Sequence, residues 1–179
     1  MPYNHYCSYR RSIERALTVL QTLRKREAIT ASYIDAIHRR RHTADIALQA
    51  EFDELRRAFI TPIDREALWF LRQHTDQIAK IAEDIPLALY RRRLPCLSPD
   101  DTALLSAVIN ECTALHTALS ALDDYPKHDT VIKHLSAADA AHRQTLKTNG
   151  TVIEEAFYRL SDACAATVCV ARCVVLKMT

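Results

Sequence analysis

Apolar residues recur at steps of three and four through nearly the whole chain, which is the period of an amphipathic helix and not of a strand. Ile13, Leu17 and Leu20 open a first helix. Ile34, Leu48, Phe52, Leu55 and Phe59 mark a second, and Leu68, Leu71, Ile78, Ala82 and Ile85 a third. The fourth runs through Leu105, Val108, Cys112, Leu115, Leu119 and Leu122, and the fifth through Ile132, Leu135 and Leu146. Ile153, Phe157, Leu160, Cys164, Val168, Ala171 and Val175 complete a sixth.

The breaks between these stripes carry helix-start chemistry. Thr61-Pro62-Ile63-Asp64 and Ser98-Pro99-Asp100-Asp101 each offer a hydroxyl N-cap, a proline at the first helical position and an acid in the first turn. Thr151 with Glu154 has capping-box spacing just after Gly150, so helix five should end near Asn149-Gly150, and Asp129-Thr130 should open it. Short connections make antiparallel neighbours, so the expected fold is all-α, with six antiparallel helices forming two three-helix bundles. The whole chain, 1–179, reads as a single helical domain with sub-bundles of about 1–94 and 98–179, joined at Arg93-Leu94-Pro95-Cys96-Leu97-Ser98-Pro99. An internal echo fits a duplicated plan: Ala44-Asp45 and Ala138-Asp139 lie in the second helix of each half, Thr75-Asp76 and Ser161-Asp162 in the third.

Composition narrows the picture. With 49% hydrophobic residues, 179 residues can bury a core without staples, and one glycine with six prolines is too few turn formers for a sheet protein. The balance of 24 basic and 22 acidic residues excludes the strongly basic body that non-specific nucleic-acid binding requires. Basic runs do occur, at Arg24-Lys25-Arg26, Arg39-Arg40-Arg41 and Arg91-Arg92-Arg93, as solvated helix faces or as contacts for an anionic partner. Cys7, Cys96, Cys112, Cys164, Cys169 and Cys173 form no CxxC pair and read as buried small hydrophobes of a reducing compartment; Cys169 and Cys173 also stand four apart, the spacing of two soft-metal ligands. No stretch has the length of a signal peptide or a membrane helix, which points to a soluble, cytoplasmic protein, with peripheral membrane association still open.

Polar groups interrupt two apolar stripes. From Ile34, steps of four and three meet His38, Arg41 and Asp45 before Leu48; in helix five they meet Asp139 and His142 between Leu135 and Leu146. Burying such groups is costly unless they pair or bind a metal. Asp-His or Asp-Arg pairs are one account and a metal site the other. Asp35-x-x-His38 and Asp139-x-x-His142 imitate the Glu-x-x-His motifs of di-iron bundles, with shorter acids and no matching lone glutamates. No phosphate loop, serine elbow or paired acid-base carboxylates are present, so an enzyme is not expected.

The segment Ala58-Phe59-Ile60-Thr61-Pro62-Ile63-Asp64-Arg65-Glu66 resembles the FITPxDRE signature of PhoU-like proteins of the Pit-accessory branch. His42-Thr43-Ala44-Asp45 is similar to that family's EHExD segment, Asp76 to the start of its DDxxD run, and Ala138-Asp139 and Ser161-Asp162-Ala163-Cys164 through Val175-Leu176-Lys177 also match, over roughly residues 30–179. The resemblance implies a six-helix, two-bundle fold and a non-enzymatic accessory role in inorganic phosphate transport, with a membrane phosphate permease as partner and a homo-oligomer open. It also implies a divalent or trivalent metal ion held by acidic motifs. Arg41, Thr43, Gln77, Lys80, Ala165 and Ala166 replace acids of those motifs, which leaves a residual, degenerate metal site of Asp45, Asp76, Asp139, Asp162, His42 and His142. Asp64-Arg65-Glu66, retained in full, serves as a helix cap or as a contact to the transporter. The alternatives are a metal-binding helical bundle for transition-metal storage or redox work, and a ligand-free oligomerisation module.

Overall fold

The computed structural model describes residues 5–25, 29–57, 65–94, 97–122, 128–151 and 153–177. Six helices follow the apolar period: α1 (His5–Arg24), α2 (Ala31–Arg57), α3 (Arg65–Arg91), α4 (Pro99–Ala121), α5 (His128–Thr145) and α6 (Glu154–Lys177). No strand occurs among the described residues. Every apolar residue assigned to the third, fourth and sixth stripes is buried. α1 buries Tyr9, Ile13, Ala16, Leu20 and Leu23 against them.

The helices do not share the core equally. α1 packs on α3 and α4, α3 packs on α6, and α4 packs on α6, so these four form the centre. α5 covers α4 and α6, while α2 has α3 as its main neighbour. The two expected triplets are therefore fused into one hydrophobic cluster through the α1–α4 and α3–α6 contacts.

α5 turns a different face inward from the one its stripe predicted. Val131, Leu135 and Ala138 are buried, whereas Ile132 and Leu146 are exposed. Leu146 lies past the end of the helix, which stops at Thr145 and closes with Lys147 N–H on the Gln144 carbonyl and Thr148 N–H on the Thr145 carbonyl. The stop thus comes before Asn149-Gly150. Gly150 is required by close approach and not by a left-handed backbone: a Cβ there would lie 2.8 Å from Leu104 Cδ2 and 3.2 Å from Asp101 Oδ1.

Ser98 caps α4 as expected, its hydroxyl accepting from Asp101 N–H at 3.0 Å with Pro99 next in the chain. Thr151 does not cap α6. Its N–H and hydroxyl both donate to buried Asp101 at 2.8 Å, tying the α5–α6 connection to the start of α4, and the Ile153 carbonyl opens α6 instead. The Thr61-Pro62 start of α3 lies outside the described residues.

α3 ends in a Schellman turn. Leu94 N–H reaches the Leu89 carbonyl and Arg93 N–H the Tyr90 carbonyl, with Arg93 left-handed at φ 54°. Of the cysteines, Cys112 and Cys164 are buried, their sulfurs 3.7 Å apart. Hydrogen bonding to Cys112, together with burial, pushes the Cys164 thiol well up. Cys169 and Cys173 are exposed on α6, contrary to the expectation for that apolar run; they line a hollow with Glu66, Phe70 and His74 of α3. The Cys7 side chain and Cys96 lie outside the described residues.

Candidate functional site

α2 buries only Ile34, Ile37 and Leu55. Ile34 and Ile37 pack on Leu87 at one end and Phe52 meets Trp69 near the other, and between them α2 is held to α3 by charge. The α3 face toward α1 and α2 carries Arg72, Asp76, Lys80 and Glu83, at steps of four, four and three, so one stripe alternates basic and acidic groups. Arg72, Asp76 and Glu83 are among the most buried charged residues of the chain.

These groups are joined into a network across three helices. From α1, Arg15 reaches Asp76 Oδ1 at 3.1 Å through Nη2 and lies 2.8 Å from Glu83 Oε1 through Nε, an ion pair off the hydrogen-bond line. From α2, Arg41 donates to Glu83 at 3.0 Å, to Asp84 at 2.8 Å and to the Lys80 carbonyl at 2.8 Å. Lys80 bridges Asp45 at 2.7 Å and Asp76 at 3.0 Å. Arg72 pairs with Glu51 at 2.5 Å and donates to Ser12 at 3.0 Å.

Burial by itself would lower the Arg41 and Lys80 values. Hydrogen bonds outweigh it, to Asp84 and Glu83 for Arg41 and to Asp45 and Asp76 for Lys80, so both are held above their ordinary range. Arg41 and Lys80 therefore stay charged, and each buried carboxylate of the network has a cation beside it, the condition under which interior charge is tolerated.

A smaller polar cluster joins the other triplet. Buried Ser161 donates to Glu111 at 2.6 Å, and His142 Nδ1 lies 2.8 Å from Ser161 Oγ and 3.1 Å from Glu111 Oε1. With the serine proton on Glu111, Nδ1–H is the donor to both. Burial pushes the Glu111 carboxyl up, and hydrogen bonds from Ser161 and Thr145 and the charge of His142 offset this only in part. One ring nitrogen serves both neighbours and the serine is fully buried, so this is not the relay of a nucleophilic triad.

The six residues of the expected metal site are scattered. Asp45 and Asp76 meet, but around Lys80. Asp139 pairs with Arg172 across α5 and α6, His142 belongs to the Glu111 cluster, and His42 and Asp162 are exposed. Asp35 and His38 are exposed as well, so the interruption of the α2 stripe at His38 does not point inward. Among the described residues, no three His, Cys, Asp or Glu side chains stand together as ligands, and a protonated lysine between two aspartates is the wrong donor set for a cation. The residues present do not fit the metal. Asp64 and the Arg65 side chain lie outside the described residues; Glu66 is exposed in the first turn of α3.

Sequence reasoning missed Arg15, Glu51, Arg72, Glu83 and Glu111. The signal for Arg72 and Glu83 was present in the alternating charges at helical spacing with Asp76 and Lys80. Glu111 stands three residues after Val108 and four before Leu115, on the buried stripe itself.

No protein-family model matches the chain, and no curated protein sequence does. Solved structures do resemble it. A PhoU-like protein from Shewanella oneidensis MR-1 superposes with a TM-score of 0.58 at 16% sequence identity, covering 97% of this chain and 93% of the other. A "putative PhoU-like phosphate regulatory protein" from the same organism gives 0.54 at 18%, covering 97% and 96%. The fold, from end to end, is PhoU-like.

Proposed function

We propose that this protein is a non-enzymatic accessory or regulatory subunit of inorganic phosphate transport that docks on a Pit-type permease. The observation that carries the reading is the end-to-end likeness to a PhoU-like phosphate regulatory protein, 97% of this chain on 96% of that one. The FITPIDRE segment, Phe59 to Glu66, supports it from the sequence side. The interior polar groups are consumed in pairing helices to one another, which suits a scaffold that acts by binding.

In this reading Lys80, Arg41 and Arg15 hold the acids of α2 and α3 where a degenerate metal site would otherwise stand. Contact with the permease falls to the start of α3, where exposed Glu66 lies between two hollows of about 230 and 340 Å³ and Phe70 is 53% exposed. No helix among the described residues is long and apolar enough to cross a membrane.

The test is co-purification from gently solubilised membranes of the source cells. A phosphate permease recovered with the tagged chain, and depleted when Phe70→Ala is used as bait, is the expected result. Absence of any phosphate permease from the wild-type preparation contradicts the docking claim.

A further inference from the structure

A second feature sits beside the ion-pair network and shares Arg15, Arg72 and Glu51 with it. Between α1, α2 and α3 opens a cavity of about 410 Å³, within the size range of small-molecule sites. Five arginines line it: Arg11 and Arg15 from α1, Arg39 and Arg40 from α2, and Arg72 from α3. Glu51 is the one carboxylate on its described wall.

The arginines divide into two kinds. Arg15 and Arg72 form the floor, their guanidinium groups fixed by Asp76, Glu83 and Glu51. Arg11, Arg39 and Arg40 form the rim; all three are exposed, and none has a carboxylate partner among the described residues. Ser12, also on the wall, accepts from Arg72, which leaves its own proton without an acceptor among the described residues.

Three uncompensated guanidinium groups around one concavity repel one another, and the repulsion is relieved by an anion seated between them. The charge is local, since the chain as a whole carries a formal net charge of only +2. Guanidinium forks match phosphate oxygens in pairs, and a cavity of this size admits several phosphates but no folded partner. Five arginines on walls from three helices distinguish it from the smaller hollow where Arg56 is the one cation on the described wall and Glu66 stands on the same wall.

We propose that this cleft binds a compact phospho-anion carrying three or more negative charges, of the size of tripolyphosphate or a nucleoside triphosphate. The inference rests on the cleft and not on the transport reading, and either can fail without the other. Bound there, such an anion would tie α2 to α1, two helices that share no substantial direct interface, and so stiffen the most loosely held element.

Isothermal titration of the full chain with sodium tripolyphosphate at about 0.15 M salt tests this. Arg39→Ala/Arg40→Ala is compared with Arg56→Ala/Arg57→Ala, which removes the same charge from the same helix outside the cleft; all four side chains are exposed, and thermal melts check that both variants fold. The cleft variant should weaken binding by about tenfold or more, and the control should leave it nearly unchanged. Flotation with vesicles containing phosphatidylglycerol is the companion measurement: vesicle binding lost in the cleft variant, without tripolyphosphate binding, would place a singly charged lipid headgroup there and overturn the proposal. Binding to neither probe, equal weakening in both variants, or citrate binding as tightly as tripolyphosphate would overturn the proposal.

Discussion

Glu111 is the residue at which burial and chemistry conflict most openly. Its carboxyl is pushed up because desolvation disfavours the charged form, so the folded chain holds that proton more tightly than the unfolded chain does. The stabilisation from this group is fully present below the unfolded value of about 4.3 and is lost as pH rises through the raised folded value. Glu111→Gln removes the titration while keeping an acceptor for the Ser161 hydroxyl. Urea unfolding of the variant, measured from about pH 4 to pH 8, should show a shallower loss of stability with rising pH than the parent chain. Parallel curves for the two proteins would show that Glu111 does not titrate in that window.

The same residue marks what a single sequence conceals. His142 was legible as a polar interruption of an apolar stripe, but its partner was sought within α5, at Asp139. The structure gives His142 to Glu111 and Ser161, on α4 and α6, and gives Asp139 to Arg172. Spacing along one helix gives its inward face only approximately, as exposed Ile132 shows, and it does not tell which group of another helix that face meets.

Among the elements, α2 buries the fewest apolar residues for its length, and its middle rests on ion pairs. α2 is pinned by Arg41–Glu83, Arg41–Asp84, Lys80–Asp45 and Arg72–Glu51, of which the Asp84 and Asp45 ends are exposed. Exposed pairs are worth about 0–1 kcal/mol each and weaken with salt. Amide hydrogen exchange should therefore be faster through the middle of α2 than in α1, α3, α4 or α6, and should accelerate as salt is raised. Protection in α2 equal to that of α3, and insensitive to salt, would contradict this account of its attachment.

Arg93 supplies a test of opposite sign. An L-residue in the left-handed region costs roughly 1–2 kcal/mol, a cost glycine largely avoids, and the Arg93 side chain is exposed. Arg93→Gly should raise the melting temperature by about 2–4 °C for a chain of this length. A lower melting temperature would mean that the side chain contributes more than the backbone strain removes. The Schellman turn itself was not legible, because glycine, the usual signal, is absent at 93 and arginine occupies its place.

On the scale of the whole molecule, the all-helical class and six elements were readable because long apolar stripes at helical spacing leave little alternative. The internal echo extends only part of the way into the structure: Thr75 and Ser161 are both buried, yet Asp76 is nearly inaccessible while Asp162 is exposed. How the halves meet, through α1–α4 and α3–α6, has no counterpart in the periodicity of any one helix. The metal-bearing expectation came from the family resemblance, already thinned where Arg41 and Lys80 replace acids of its motifs, and the structure sets those same two cations on Glu83, Asp84, Asp45 and Asp76.

The proposed control of phosphate transport is measured in the source cells as the initial rate of radiolabelled phosphate uptake, with the gene deleted and with it restored, at low and at high external phosphate. The uptake rate should change on deletion in at least one phosphate regime and return on complementation. Uptake that is identical with and without the protein in both regimes would contradict it.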